Sequence, residues 1–187
     1  MYTLSILKSL IPLLPLTLAL PLEPRDTTPQ FNITSLGATF PYPGVYGVDS
    51  VNSYVNIAVS YPDSSSTNES AVLNTSCRVD WPAGTTPGPT SWAPCTDTAL
   101  QFRLPAEGWT SDTNFRVELW EQLKTDGEGL EASSYLKFAP GTNDPNGYLF
   151  CLQMGKFNPL TCTLTGPMGQ SHRTVVMTAT RESSIPA

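Results

Sequence analysis

Histidine occurs once in this chain, at His172, and that scarcity removes whole classes of chemistry. A Ser-His-Asp or Cys-His relay would have to be built on that one residue, and no GxSxG elbow accompanies it. His172 falls where the turn-like GPMGQS meets a strand, a place that suits a solvated strand-end side chain. A two-histidine copper brace needs a second histidine, and no CxxC pair marks a zinc site. No metal and no cofactor is therefore expected. Charge is sparse as well: 14% of residues carry one, against about 25% in an average domain. The net charge is −6, and no basic stripe exists. Nucleic acid and anionic membrane surfaces are not expected as partners.

Long apolar runs are also missing, with one exception near the start. The run over residues 9–20 follows Lys8 and is broken by Pro12 and Pro15. It is too short for a span of about 20 residues. Thr17 and Ala19 fill the small-residue positions before a cut, so 1–19 reads as a secretory signal peptide. Residues 20–30 (ending PLEPRDTTPQ) have little to bury and read as a disordered leader, with a further cut after Arg25 in view. One domain then covers 31–181, and 182–187 is a frayed tail.

What the chain does contain fits an extracellular setting. Four cysteines are an even number, the arithmetic of two disulfides in a secreted protein. Three glycosylation sequons begin at Asn32, Asn68 and Asn74. Polarity is carried by Ser, Thr and Asn rather than by charge.

Strand periodicity dominates the body. Val55, Ile57, Val59 and Tyr61 alternate with Asn56, Ala58 and Ser60, the two-residue period of a half-buried strand. Leu73, Thr75, Cys77, Val79 and Trp81 share one face, as do Leu100, Phe102 and Leu104. Over 114–123, Phe115, Val117 and Leu119 point inward and leave Glu118 and Trp120 opposite. Further strands are read over 31–38, 130–138, 148–154, 161–165 and 174–180, separated by Pro, Gly, Asn and Asp. About nine short strands without an amphipathic helix predict an all-β antiparallel barrel or sandwich.

Four cysteines allow three connectivities, and sequence alone does not choose. Loop length and hairpin geometry favour Cys77–Cys95 and Cys151–Cys162, each joining neighbouring strands. With this frame, and the TCTLTG strand preceding the final VVMTA, the chain resembles the Alternaria major-allergen family over roughly 31–179. These are small secreted fungal proteins with a β-barrel, seen as allergens and as suspected effectors engaging plant defence proteins. The resemblance implies the same two bridges at Cys77–Cys95 and Cys151–Cys162. A host defence protein or a cell-wall glycan is the expected kind of partner, although cysteine order does not by itself extend the family's partner to this chain. The family's best-known member links two chains through an unpaired N-terminal cysteine. No cysteine lies between Phe31 and Ser76, so a covalent dimer is not expected here.

Two residue sets compete for a function. Trp81, Trp92, Trp109 and Trp120, with Tyr42, Tyr46 and Tyr54, could recognise a protein or a cell-wall glycan. Trp81 follows the inward face and belongs to the core, whereas Trp92 and Trp109 lie in loops. Alternatively, Glu118 beside Trp120 could pair with Asp97 or Glu121 as the two carboxyls of a small glycan-active hydrolase. The leading expectation is a secreted, non-enzymatic binding protein. The alternatives are that hydrolase and a structural cell-wall protein.

Overall fold

The computed structural model describes residues 28–42, 51–64, 71–87, 90–123, 127–164 and 173–186. The leader over 1–19, Tyr46, Asn68 and His172 lie outside the described residues. Three long strands come first: β1 (Gln30–Phe40), β2 (Asn52–Pro62) and β3 (Val72–Pro82). The middle of the chain gives β4 (Ala93–Pro94), β5 (Leu100–Arg103), β6 (Trp109–Ser111), β7 (Asn114–Gln122) and β8 (Gly129–Lys137). β9 (Phe150–Gln153), β10 (Leu160–Thr163), β11 (Val175–Thr178) and β12 (Thr180–Glu182) complete the set. The three strands beyond the nine read from sequence are β4, β6 and β12. Each is two or three residues long, too short for an alternation to register.

These strands form two antiparallel six-stranded sheets packed as a sandwich. In sheet A the order is β3-β2-β1-β10-β9, with β11 also on β1. In sheet B it is β12-β8-β7-β5-β4, with β6 also on β7. Sheet A sends Phe31, Ile33, Val55, Ile57 and Val79 into the core. Sheet B answers with Phe102, Phe115, Val117, Leu119 and Leu136. Each such side chain contributes about 1.5–3 kcal/mol by leaving water.

β1 changes parity along its length. Phe31 and Ile33 point inward, and then so do Leu36, Ala38 and Phe40. A bulge between Ile33 and Ser35 supplies the extra residue, Thr34. At that point β1 hands its edge from β11, which pairs with Gln30–Ile33, to β10, which pairs with Gly37–Phe40. Without the bulge, the second half would turn its apolar residues to solvent.

The sandwich is tied along its margins without closing into a barrel. β11 belongs to sheet A and β12 to sheet B, with only the buried Ala179 between them, so the last strand passes from one sheet to the other. On one margin the isolated bridge between Phe138 and Leu149 connects β8 to the start of β9. On another, the Cys77–Cys95 disulfide ties β3 to the segment following β4. The Thr96 N–H donates to the Ser76 carbonyl beside it (2.8 Å). The second disulfide, Cys151–Cys162, lies within sheet A across directly paired positions of β9 and β10. Both bridges are those the spacing favours. Among the described residues no helix is long and apolar enough to cross a membrane, and two disulfides are compatible with an extracellular protein.

Where the sequence reading leaves 182–187 as a frayed tail, the structure carries β12 through Glu182, paired with Gly129. It then lays Pro186 against Trp92 and Arg103. A tail whose Pro186 carbonyl accepts from two donors on a sheet face does not fray.

Candidate functional site

β1, β2 and β3 bring Phe40, Ser53 and Trp81 to one end of the sandwich. Phe40 packs on Trp81 at 6.1 Å between ring centroids and on Trp109 at 5.9 Å. Trp109 lies against Phe115 at 4.9 Å, with planes only 18° apart. Trp81 meets Trp109 edge-on at 5.6 Å. These are the offset and T-shaped geometries that aromatic quadrupoles favour. Above this floor opens a cavity of about 240 Å³, walled by Phe40, Tyr42, Trp81 and Leu160. Its polar groups are Ser53, Asp112 and Gln153, with Thr85 at the rim.

Asp112 sits in the turn between β6 and β7. The residue is exposed as a whole, yet partial burial of its carboxyl pushes the pKa up from the usual carboxylate range. The Cys162 sulfur lies 3.8 Å from the Asp112 carbonyl oxygen, so the Cys151–Cys162 bridge braces this wall. An aromatic floor with a few convergent polar groups is the ordinary make-up of a small-ligand site. At this volume it takes a single ring rather than an extended ligand.

Glu118 and Trp120 do lie on the face of β7 opposite Phe115, Val117 and Leu119, but that face is covered. Glu118 is 4% exposed and Trp120 2%. Arg103 Nε donates to Glu118 Oε2 at 2.5 Å, and Arg116 Nη2 to Oε1 at 2.8 Å. Arg116 also reaches Glu107 at 2.8 Å. Trp92 closes the arrangement from above. The Arg103 guanidinium stacks 4.4 Å from its ring, and its indole N–H donates to the Pro186 carbonyl at 2.7 Å. Both Glu118 oxygens are engaged by cations, which is a structural ion cluster rather than a free acid. Trp120 lies flat across β8, where a Cβ on Gly129 would come within 2.1 Å of its ring.

Glu121, three residues on, points to the other face of the same strand. It is 2% exposed. Burial pushes its pKa up, and Asp63 and Asp97 add like charge, partly offset by hydrogen bonding to Ser64. Its Oε2 has no partner among the described residues. Nearby, the Tyr61 hydroxyl donates to Asp97 Oδ2 at 2.5 Å. Tyr61 is raised by burial and by this bond to an anion. Asp97 is lowered by the Tyr61 hydroxyl and the Ala99 N–H. The structure thus brings Asp97 toward Glu121 and places Glu118 on the opposite face, so Glu118 and Glu121 do not share a cleft.

The tryptophans offered as binding residues fall in three different settings. Trp92 covers Arg103, Trp109 stands on β6 rather than in a loop and packs half-buried behind the cavity residues Phe40 and Trp81, and Trp120 shows no face to solvent. Asn32 and Asn74 both stand on strands of sheet A. Among the described residues, no group of three or more His, Cys, Asp or Glu is placed to hold a metal ion. Sequence reasoning missed the cation partners of Glu118. A signal existed: Arg116 and Glu118 alternate on one face of β7, and Arg103 is the only charge on β5. It missed Ser53, Asp112 and Gln153 because they come from separate segments with no common motif. No family model matches this chain, and no curated protein or solved structure is significantly similar to it.

Proposed function

We propose that this chain is a secreted, non-enzymatic binding protein that engages a host or cell-wall partner through the aromatic cavity. The observation that carries the reading is the convergence of Phe40, Tyr42 and Trp81 with Ser53, Asp112 and Gln153 at one braced end of the sandwich. The disulfide frame suits residence outside the cell. Its cysteine order and strand rhythm support kinship with the Alternaria major-allergen family, and with it an effector-like or allergen-like role. Tyr42, at the rim and exposed, provides the test. Immobilised full-length protein is expected to retain material from plant apoplastic or fungal wall extracts, and the Tyr42→Ala variant to retain several-fold less. Recovery no greater than background for both proteins overturns the reading.

A second reading, the glycan-active hydrolase, is favoured by one observation. Glu121 is pushed up and Asp97 held down, the divergence expected of an acid and its ionised partner. Reducing-sugar release from wall polysaccharides by the wild type, and its loss in Glu121→Gln, is the result that would favour it. The same release surviving in Glu121→Gln would dismiss that pair.

A further inference from the structure

Strand register places two of the sequon asparagines in one row, on either side of Ser60. β1 pairs Asn32 with Ser60 of β2, and β2 pairs Ser60 with Asn74 of β3. On its other edge Asn32 pairs with Val176 of β11. Val176, Asn32, Ser60 and Asn74 therefore form one row across four strands. Their chain neighbours Phe31, Ile33, Val59, Tyr61, Val175 and Met177 are buried in the core, so the row faces outward. Two strand spacings separate the asparagines, about 10 Å.

A second observation concerns what surrounds them. Val176, in the row itself, is 52% exposed. Val72, paired with Pro62 on the next outward row, is 61% exposed. On an outward sheet face rich in Asn, Ser and Thr, Val72, Val176 and Leu152 are exposed apolar exceptions, and Leu152 lies away from the sequons on β9; the two valines do not. They flank the two acceptor asparagines.

We infer that Asn32 and Asn74 carry neighbouring N-linked glycans whose first sugar rings lie over Val176 and Val72, shielding one end of the outer face of sheet A. The inference rests on the secreted-protein reading given above. The reaction takes a lipid-pyrophosphate-linked oligosaccharide as donor. A bond forms between the asparagine amide nitrogen and the anomeric carbon as that carbon's bond to pyrophosphate breaks. The amide gives up one proton, and the lipid pyrophosphate leaves. Transfer to the extended chain, before β1 and β3 each pair with β2, makes the half-burial of Asn32 in the finished sheet no obstacle. Thr34 and Ser76 supply the hydroxyls of the two sequons.

The geometry also separates sugar from cavity. Asn32 and Phe40 stand at opposite ends of β1, about 26 Å apart at strand rise. Ser60 and Ser53 on β2, and Asn74 and Trp81 on β3, repeat that polarity. One end of sheet A is covered, and the other is left open for a partner.

The test expresses the full chain in a secreting eukaryotic host, in an Asn68→Gln background so that only these two sequons remain. Peptide mapping of protein from the medium is expected to find sugar on both asparagines. Asn32→Gln or Thr34→Ala should each remove one glycan, as should Asn74→Gln or Ser76→Ala. Enzymatic removal of the sugars should raise binding of an apolar fluorescent dye several-fold, and the Val72→Ser/Val176→Ser double variant should abolish that rise. Protein that reaches the medium with either asparagine bare overturns the inference while leaving the secretion reading standing. A chain with an intact leader that stays inside the cell overturns both. Dye binding unchanged by sugar removal overturns the covering of the valines.

Discussion

The outer faces of the two sheets obey the same alternation and end in opposite states. On sheet A, the outward residues of β2 and β3 remain accessible, and the Arg78–Asp80 pair there is half-exposed on both sides. On sheet B, Arg103, Glu118 and Trp120 at the centre of the outward face are buried, with Trp92 and Pro186 laid over Arg103. Alternation specifies which side of a sheet a residue occupies. Whether that side is wet depends on chain that arrives from elsewhere. The same type of ion pair is therefore a solvated ornament on one sheet and a buried structural element on the other.

Breaking each pair sharpens this contrast. Glu118→Ala removes the carboxylate that lies between the Arg103 and Arg116 guanidiniums, and removing one partner of a buried pair costs about 3–5 kcal/mol. Denaturant unfolding should show that loss, the largest of the set. Gly129→Ala forces a methyl group into the Trp120 ring and should cost about 1–3 kcal/mol by overpacking. A change in Trp fluorescence should accompany it.

Glu121 tests burial without a cation. Its folded pKa lies above its unfolded value near 4.5, so the folded state holds its proton more tightly. The resulting contribution is fully present below the unfolded pKa and is lost as pH rises through the folded one. Melting temperature measured against pH should therefore fall across that window, and Glu121→Gln should flatten the decline. The smallest effect belongs to Arg78→Ala on sheet A, at roughly 0–1 kcal/mol for an exposed pair. A loss there as large as that of Glu118→Ala would erase the distinction between the two faces.

Several features were legible because they are local. The period of β2, the inward set of β7 and the two short cysteine separations each reside within a few tens of residues. The parity switch at Thr34 was not, because an extra residue in a strand is visible only against its partner. Nor was the cover over Glu118, which joins Trp92 to Pro186 across most of the chain's second half. The cavity shares that difficulty: Ser53 and Gln153 are ordinary polar residues until the sheet order sets them around one opening.

The strand that leaves sheet A at Thr178 and joins sheet B at Thr180 has a consequence for biosynthesis. β1 and β8 are made long before it, and each waits with an unpaired stretch of backbone. Folding of the sandwich thus finishes only after β11 and β12 have left the ribosome. A protein shortened ahead of Val175 would expose two raw borders at once, and self-association rather than simple loosening is the expected fate.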